Sequence, residues 1–267
     1  MKKYKMIDLF AGCGGLTDGF KQHGGFTTVA SVEWDKYARQ TLMKRLRDKW
    51  GYKNTEEIVL QFDIQRTKEL LNGYNDETFG SSDGLKALIA KSGGCDIVIG
   101  GPPCQAYSIA GRIRDEHGMH NDYRNYLFES YLSTVKGLNL PKVIVFENVP
   151  GMLSASPGGK SIIDRIRKAF EKAGYCIIGD IRKQALFNVA DYGVPQKRKR
   201  VIIIALKKNA FGDKAKTLLK NIYEDIHASK DLYKRSVVDD ALADMDIFKP
   251  IDDVEIFEGK KYSHAPF

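Results

Sequence analysis

The sequence predicts an α/β fold in which a mostly parallel sheet is covered by helices on both faces. Short apolar runs that are typical of buried strands recur along the chain. Segments with helical spacing or helix-capping residues lie between several of these runs, and this alternation indicates a parallel sheet. Such sheets bind ligands outside the carboxyl ends of their strands, so the residues at those ends are the first candidates for a functional site.

Four strands are expected in the first part of the chain. The four runs are KMIDLF (5–10), TTVASVEW (27–34), EIVLQFDI (57–64) and CDIVIGG (95–101). The glycine loop AGCGG follows the first run and leads into a helix whose amides face outward. A second helix follows the second run, because apolar residues recur every four positions at Ala38, Leu42, Leu46 and Trp50, before Gly51.

The later part of the chain continues the same alternation up to residue 206. KVIVFEN (142–148) is the fifth strand, and YCIIGDI (175–181) and RVIIIAL (200–206) are late strands. Ser161 and Asp164 predict a capped helix between them, which runs through Ala173 and ends at Gly174. Residues 207–267 are more charged and less regular, with one helix expected around 236–245. We therefore expect one domain over 1–206 and a distinct segment over 207–267.

Composition limits the classes of protein that this chain can belong to. The formal net charge of +8 over 267 residues favours a polyanionic partner such as nucleic acid. The four cysteines form no C-x-x-C pair, which disfavours zinc ribbons and thioredoxin-like redox sites, and no metal is expected. VIIIAL (201–206), the longest apolar run, is too short to span a bilayer, so no membrane partner and a reducing, cytoplasmic location are expected.

Acidic residues at three successive strand ends predict a pocket for an adenosine-type ligand. Glu33 stands about 20 residues beyond the glycine loop, where ribose hydroxyls are accepted, and Trp34 beside it can stack on adenine. Asp63 can accept a hydrogen bond from an exocyclic amine. Thr17 occupies the place of the third glycine of a dinucleotide fingerprint, which disfavours a nicotinamide cofactor. Each acid alone also fits a solvated strand end.

Cys104 differs from the other cysteines, which we interpret as small buried side chains: Cys13, Cys95 and Cys176. It follows Pro102 and Pro103 just beyond a strand end, and its thiolate form is a strong nucleophile. The fifth strand ends in Glu147 and Asn148, which in a parallel sheet can lie beside Cys104. A carboxyl shielded from water can hold its proton and act as an acid.

Four consecutive basic residues, 197–200, precede the last strand. Such a run is usually a solvated turn. Here Arg198 and Arg200 alternate at strand spacing and so point to the same side. At the ligand end of the sheet, two guanidiniums on one side can hold a phosphate or polarise a base.

Taken together, these motifs resemble the catalytic half of a DNA cytosine-5 methyltransferase. The blocks DLFAGCGG, VEW, FDI, GGPPCQAYS, FENVPGML and DYGVPQKRKRVIII occur in the order typical of that family, over roughly residues 5–206. The resemblance implies a Rossmann-like S-adenosylmethionine-dependent methyltransferase fold, with 1–206 as the cofactor-binding catalytic domain. It also implies duplex DNA as partner, in a bacterial modification or restriction-modification system.

The resemblance also assigns roles to individual residues. Those implied to bind S-adenosylmethionine are Phe10, Gly12, Gly14, Gly15, Glu33, Trp34, Asp63, Ile64, Pro103 and Leu127. Those implied to act on the cytosine are Cys104, Glu147, Arg198 and Arg200, with Asn148 bracing the loop. Those in the implied mobile loop that closes over DNA, within 105–127, are Gln105, Ser108, Arg112, Arg114 and Arg124.

The chemistry implied by the resemblance begins with addition of the Cys104 thiolate to carbon 6 of cytosine. Glu147, acting as an acid, supports the ring nitrogen, so that carbon 5 becomes nucleophilic enough to take the sulfonium methyl group. Loss of the proton from carbon 5 then expels the cysteine. The base must leave the stack for this chemistry, so base flipping is implied.

Residues 207–267 depart from the family pattern. They show neither a target-recognition domain nor the closing helix with its Asn-Ser-Val pattern. We therefore expect a connecting segment here, in a subunit or a truncated form, with target recognition supplied by a second chain. Two alternatives stay open: an RNA cytosine-5 methyltransferase, disfavoured because its Cys-Phe-Thr block is absent, and a non-catalytic remnant, disfavoured because Cys104 and Glu147 are present.

Overall fold

A computed structural model of the protein describes residues 2–103, 127–138, 141–156, 159 and 161–243, together with the backbone of 255–257 and 260–262. The strands are β1 Tyr4–Leu9, β2 Phe26–Glu33, β3 Val59–Gln61, β4 Tyr74–Asp76, β5 Gly80–Ser82, β6 Ile97–Gly100, β7 Val143–Asn148, β8 Tyr175–Ile177, β9 Leu186–Asn188, β10 Lys199–Lys207, β11 Glu255–Phe257 and β12 Lys260–Tyr262. The helices are α1 Gly15–Gln22, α2 Lys36–Asp48, α3 Thr55–Ile58, α4 Thr67–Asn72, α5 Gly84–Ser92, α6 Leu127–Gly137, α7 Ile162–Lys172, α8 Ile181–Gln184, α9 Lys208–Phe211, α10 Lys214–Ala228 and α11 Val238–Leu242.

The main sheet confirms the predicted α/β class. Its strands lie in the order β3-β2-β1-β6-β7-β10-β8, with β9 paired to β10, and two small hairpins, β4-β5 and β11-β12, lie apart from it. All pairings from β3 to β7 are parallel. Because strands in such a series point the same way, the carboxyl ends of β1, β2, β3, β6 and β7 meet at one edge of the sheet.

β10 runs antiparallel to β7, β8 and β9, and the sequence did not predict this orientation. The pairing places Val201 opposite Asn148 and Ile202 opposite Glu147. The beginning of β10, with its basic residues, therefore lies at the same edge as the carboxyl end of β7. Because β10 is antiparallel, Arg200 reaches the ligand edge at the beginning of its strand, whereas Glu147 reaches it at the end of its own.

Apolar side chains cover both faces of the sheet. Met6 and Ile99 form one cluster with Leu16 and Phe20 of α1. The neighbouring residues Ile7 and Val98, which point to the other face, belong to the large cluster that includes the α6 residues Phe128, Tyr131 and Leu132. Helices thus pack on both faces, as predicted from the continuous apolar runs.

Two predicted elements are shorter in the structure. EIVLQFDI forms a strand only over Val59–Gln61, since Glu57 and Ile58 belong to α3. β3 is an edge strand whose pairing with β2 extends over three residues, and none of the described strands pairs with its outer side. YCIIGDI likewise forms a strand only over Tyr175–Ile177, because its pairing with β10 ends at Ile177.

α10 is an element that the sequence analysis missed. Its fifteen residues bury Ala215, Leu219 and Tyr223, which are spaced four apart and belong to the large core cluster. The Tyr223 hydroxyl accepts a hydrogen bond from Ile204 N at 2.8 Å and donates one to Ile202 O at 2.9 Å. Part of the 207–267 segment therefore packs on the sheet, while the division of the chain at 206 stays a prediction. Among the helices described, none is both long and apolar enough to cross a membrane.

Candidate active site

A pocket of about 580 Å³ opens at the carboxyl ends of β1, β2 and β3, a size that suits a small-molecule ligand. Eight of the ten residues predicted to bind the cofactor line it: Phe10, Gly12, Glu33, Trp34, Asp63, Ile64, Pro103 and Leu127. Six further residues line the pocket without having been predicted from sequence: Val32, Asp35, Lys36, Phe62, Gln65 and Gly101. All six lie within two positions of a predicted residue in the chain, so adjacency was the available signal.

The glycine loop is held against β2 by Glu33. Glu33 Oε2 accepts a hydrogen bond from Gly12 N at 2.7 Å, and Oε1 accepts one from Asp35 N at 2.8 Å. Phe10 adopts a left-handed backbone with φ of +60°, which is uncommon for a side chain of this size. A carboxylate has about four acceptor sites, so Glu33 keeps capacity for ribose hydroxyls while it fixes the loop.

Gly14 and Gly15 lie at the start of α1 and are not among the residues that line the pocket. Gly14 has φ of +88°, and a Cβ at this position would lie 2.5 Å from Leu42 Cδ1 of α2. A Cβ on Gly15 would meet no heavy atom within 4 Å. In this structure, Gly14 therefore allows α1 and α2 to pack closely, and its direct role toward a cofactor stays a prediction.

The outer part of the pocket suits an adenine ring. Trp34 is 54% exposed at its rim, and buried Phe62 and Ile64 form an apolar wall. Asp63 Oδ1 accepts a hydrogen bond from Gln65 N at 2.9 Å, which holds the carboxylate at the end of β3. An exposed aromatic ring beside a fixed acceptor is an arrangement that can stack on a base and bind its amino group.

Two glycines bring the pocket close to the predicted catalytic carboxyl. A Cβ on Gly101 would lie 2.6 Å from Glu147 Oε2, and one on Gly100 would lie 2.3 Å from Leu9 O. Buried Asn148 donates a hydrogen bond from Nδ2 to Pro102 O at 3.4 Å. The chain just before residue 104 is thus braced by β7, and the implied role of Asn148 toward the loop stays a prediction. Residues 104–126 lie outside the described residues, and with them the predicted site residues Cys104, Gln105, Ser108, Arg112, Arg114 and Arg124.

Glu147 and Arg200 form an ion pair at the centre of this edge. Arg200 Nε lies 2.7 Å from Glu147 Oε1, and the side chains are only 18% and 25% exposed, respectively. Burial raises the pKa of Glu147, while the charges of Arg200 and Arg198 act in the opposite direction. The net direction is upward, so the carboxyl holds its proton more readily than a free glutamate and can serve as an acid.

Asp8 is a buried acid of β1, and the sequence did not predict a role for it. Its Oδ2 accepts a hydrogen bond from Thr17 Oγ1 at 2.6 Å, and Oδ1 has no hydrogen-bond partner among the described residues. Burial raises the pKa of Asp8 to about 7, although the bonds from Thr17 oppose this shift. The available signal was an acid inside the apolar run KMIDLF directly before the glycine loop.

One prediction about the other cysteines was wrong. Cys13 is exposed, because it lies in the turn between Gly12 and Gly14, where both neighbours have positive φ and the turn projects from the sheet edge. Cys176 is buried, as predicted, and Cys95 is partly buried. Burial raises the pKa of Cys95 to about 12, so this thiol is not ionised at neutral pH.

The sequence of this chain is similar to those of a known protein family. The profile of the family described as C-5 cytosine-specific DNA methylase matches residues 4–264. The type II methyltransferase M.Bpa9945I of Bacillus paralicheniformis is 36% identical over 243 residues, covering 76% of this chain and 54% of that protein. M.DdeI of Desulfomicrobium norvegicum is 36% identical over 207 residues, covering 76% and 41%. The chain spans about half the length of these curated relatives.

Solved structures share the fold. A DNA modification methyltransferase encoded within an E. coli prophage aligns with a TM-score of 0.54 and 27% identity, over 78% of this chain and 48% of that one. A mutant of Spodoptera frugiperda DNMT2 aligns with a TM-score of 0.51 and 20% identity, over 78% and 51%. At that identity the second likeness concerns the fold alone.

Proposed function

Because this chain belongs to the C-5 cytosine-specific DNA methylase family, we propose that it transfers a methyl group from S-adenosylmethionine to carbon 5 of cytosine in DNA. The observation that carries this proposal is the partly buried Glu147 carboxyl, which has a raised pKa, pairs with Arg200 and lies next to Gly101 of a pocket that suits an adenosine. A carboxyl with a raised pKa beside a cofactor-sized pocket is what protonation of a cytosine ring during methyl transfer requires.

Each site residue has a separate role in the proposed reaction. Trp34, Glu33 and Asp63 bind and orient S-adenosylmethionine, which supplies an electrophilic methyl group when bound. Cys104 Sγ forms a bond to carbon 6 of the flipped cytosine, and Glu147 gives a proton to ring nitrogen 3 as the electrons move there. Arg200 holds the Glu147 carboxyl in place through its 2.7 Å contact.

The second half of the reaction restores the ring. Electrons return from nitrogen 3 through carbon 5, which bonds to the methyl group as the bond from that group to the sulfonium sulfur breaks and leaves a neutral thioether. Glu147 takes its proton back in this step. Loss of the carbon-5 proton to a base then breaks the bond between Cys104 and carbon 6. The atoms and charges balance, since the cysteine leaves as the thiolate that attacked.

The proposal extends to the setting of the reaction. Since the chain spans about half the length of its relatives, we propose that a further polypeptide region, carried by a second chain or as a continuation, reads the DNA sequence. The relatives named type II methyltransferases support a role in bacterial restriction-modification, and a cytoplasmic location is part of the same proposal.

Transfer of labelled methyl from S-adenosylmethionine to unmethylated duplex DNA of mixed sequence tests the proposed function. The chain is assayed alone and together with the carboxyl-terminal region of M.Bpa9945I. We expect label on carbon 5 of cytosine in at least one arm, its loss in Cys104→Ser and a reduction of about 10²-fold or more in Glu147→Gln. Label that persists in Cys104→Ser, or label on another atom, would contradict the mechanism.

A further inference from the structure

A second group of cations lies beside the basic run 197–200, whose last two residues begin β10. We use the term lateral basic surface for six residues from two separate stretches of the chain: Lys197, Arg198, Lys199, Lys230, Lys234 and Arg235. The stretches 191–200 and 230–235 together also contain Arg200 and only two acids, Asp191 and Asp231. The sequence pattern predicted a role only for the first stretch, through Arg198 and Arg200.

Direct contacts bring the two stretches together. Lys230 Nζ lies 3.6 Å from Asp191 Oδ2 and 6.0 Å from the centroid of the Tyr192 ring. The rings of Tyr192 and Tyr233 are 6.1 Å apart in an edge-on arrangement. A Cβ on Gly193, where φ is +80°, would lie 3.4 Å from Lys234 O. The backbone at 233–234 therefore lies directly against the turn that leads to Lys197.

α10 holds the second stretch in this position. A ring nitrogen of His227, in the last turn of the helix, lies 2.8 Å from Gln184 O, and its ring stacks on Phe187 of β9 at 4.9 Å. β9 in turn pairs with β10, with Asn188 opposite Lys199. The contacts of His227 with β9 thus position the chain that follows α10. Both basic stretches are therefore held by the paired strands β9 and β10.

The lateral basic surface and the cofactor pocket lie on opposite sides of Glu147. The pocket lies over β1, β2 and β3, whereas the basic stretches lie over β9 and β10, with β7 and its Glu147 between them. The ion pair of Arg200 with Glu147 joins the two regions. A cytosine held at Glu147 between a methyl donor and this surface would have the phosphates of its duplex on the basic side.

Four of the six cations of this surface have no acidic partner among the described residues. Among the described residues, Lys197, Lys199, Lys234 and Arg235 are exposed and form no ion pair, and Asp191 is already paired with Lys230. Like charges that face water without counter-charges repel one another, and a polyanion relieves this repulsion. The phosphate backbone of duplex DNA is such a polyanion, with one negative charge per about 1.7 Å of helix axis.

We propose that the lateral basic surface binds the phosphate backbone of duplex DNA beside the target cytosine, with Lys234 and Arg235 as new phosphate contacts. This inference rests on the proposed function for its partner. The contacts are independent of base sequence, so they contribute affinity and orientation while sequence reading comes from elsewhere. Each phosphate contact releases counterions, which makes the contribution measurable as a salt dependence.

The test measures binding of a fluorescent duplex of mixed sequence to the full chain by anisotropy, over about 50 to 200 mM salt. Three proteins are compared: the wild type, the double variant Lys234→Ala/Arg235→Ala, and the control Lys168→Ala/Lys172→Ala. The control removes the same charge from two exposed lysines of α7, whose last turn lies near the opposite edge of the sheet. We expect the slope of log affinity against log salt to fall by about 2 in the double variant only.

An unchanged slope in the double variant, an equal change in the control, or no duplex binding by the wild type would each overturn this proposal. Tighter binding of a folded RNA than of duplex DNA, with the same loss in the double variant, would assign the surface to RNA and would also overturn it. The proposed function fails separately, through label that persists in Cys104→Ser, so the two failures are distinguishable.

Discussion

Glu147 shows how two opposing influences set the chemistry of one residue. Burial among the ends of β6 and β7 raises its pKa, and the guanidiniums of Arg200 and Arg198 lower it. The sequence predicted the carboxyl and both arginines as a group. It did not show which arginine makes contact, because that depends on the antiparallel register that places Ile202 opposite Glu147.

Replacing Arg200 tests this balance. In Arg200→Ala the cation that opposes burial is lost, so we expect the pKa of Glu147 to rise further and the carboxyl to stay protonated to higher pH. Carbon-13 NMR titration of the Glu147 carboxyl measures this change in the chain alone. Lys172→Ala, on distant α7, is the control, and an equal change in both variants would show that the effect is one of net charge rather than of the ion pair.

Asp8 predicts a pH dependence of stability. Its pKa is raised from 3.8 to about 7, so the folded state holds this proton more tightly than the unfolded state does. The resulting stabilisation is fully present below pH 3.8 and is lost as the pH rises through about 7. In Asp8→Asn this dependence disappears. The variant should therefore gain stability relative to the wild type as the pH rises between these two pKa values, by roughly 1.4 kcal/mol for each pH unit.

Urea unfolding at several pH values measures this difference. Asp213→Asn, an exposed residue before α10, is the matched control and should track the wild type at each pH. A constant difference between Asp8→Asn and the wild type from pH 4 to pH 8 would show that Asp8 does not titrate in this window.

At the scale of elements, the glycine loop and the two helices beside it form one unit. Asp18 of α1 accepts hydrogen bonds from Arg45 at 2.9 Å and Lys49 at 3.0 Å in and just after α2, and from the Trp50 indole at 2.8 Å. This explains why Trp50, which the helical spacing included, lies beyond the end of α2 at Asp48. α2 ends at Asp48, and the indole ring of Trp50 contacts Asp18 of α1.

Two glycines of this unit should respond to alanine in opposite directions. Gly14→Ala places a Cβ at φ of +88° and 2.5 Å from Leu42, so we expect a loss of about 1–3 kcal/mol in the free energy of unfolding. Gly19→Ala, in the exposed middle of α1 with no atom within 4 Å, should gain about 0.5–1 kcal/mol. Thermal and urea unfolding measure both, and equal effects would contradict the close packing of α1 on α2.

At the scale of the whole molecule, residues beyond 206 also pack on the main sheet. α10 completes the core over β10 through Leu219 and Tyr223, and the Tyr223 hydroxyl bonds two backbone groups of that strand. The segment 207–267 looked irregular in sequence because its charged residues outnumber the three that are buried at helical spacing. The three buried residues can be recognised as core residues only when β10 and β8 supply the surface on which they pack.

Truncation tests this role. A chain that ends at residue 206 should lose about 3–5 kcal/mol of stability relative to one that ends at residue 235, because burial of Leu219 and Tyr223 is lost. Tyr223→Phe in the full chain removes only the two hydrogen bonds and should cost about 1–3 kcal/mol. Equal melting temperatures for the two truncated chains would show that the domain is complete at 206.

The sequence by itself determined the order of the strands along the chain, the glycine loop and the acids at the strand ends, because apolar period and turn residues are local signals. The glycine loop, Glu33, Trp34 and Asp63 followed from such signals, and the family resemblance implied Phe10, Ile64, Pro103 and Leu127. The structure brings these residues together around one pocket. Only the tertiary structure decided the antiparallel direction of β10, the contact of Arg200 with Glu147, the burial of Asp8 and the joining of 191–200 to 230–235. These features depend on contacts between residues that are distant in the chain, and a local pattern carries no information about which distant partner each residue will meet.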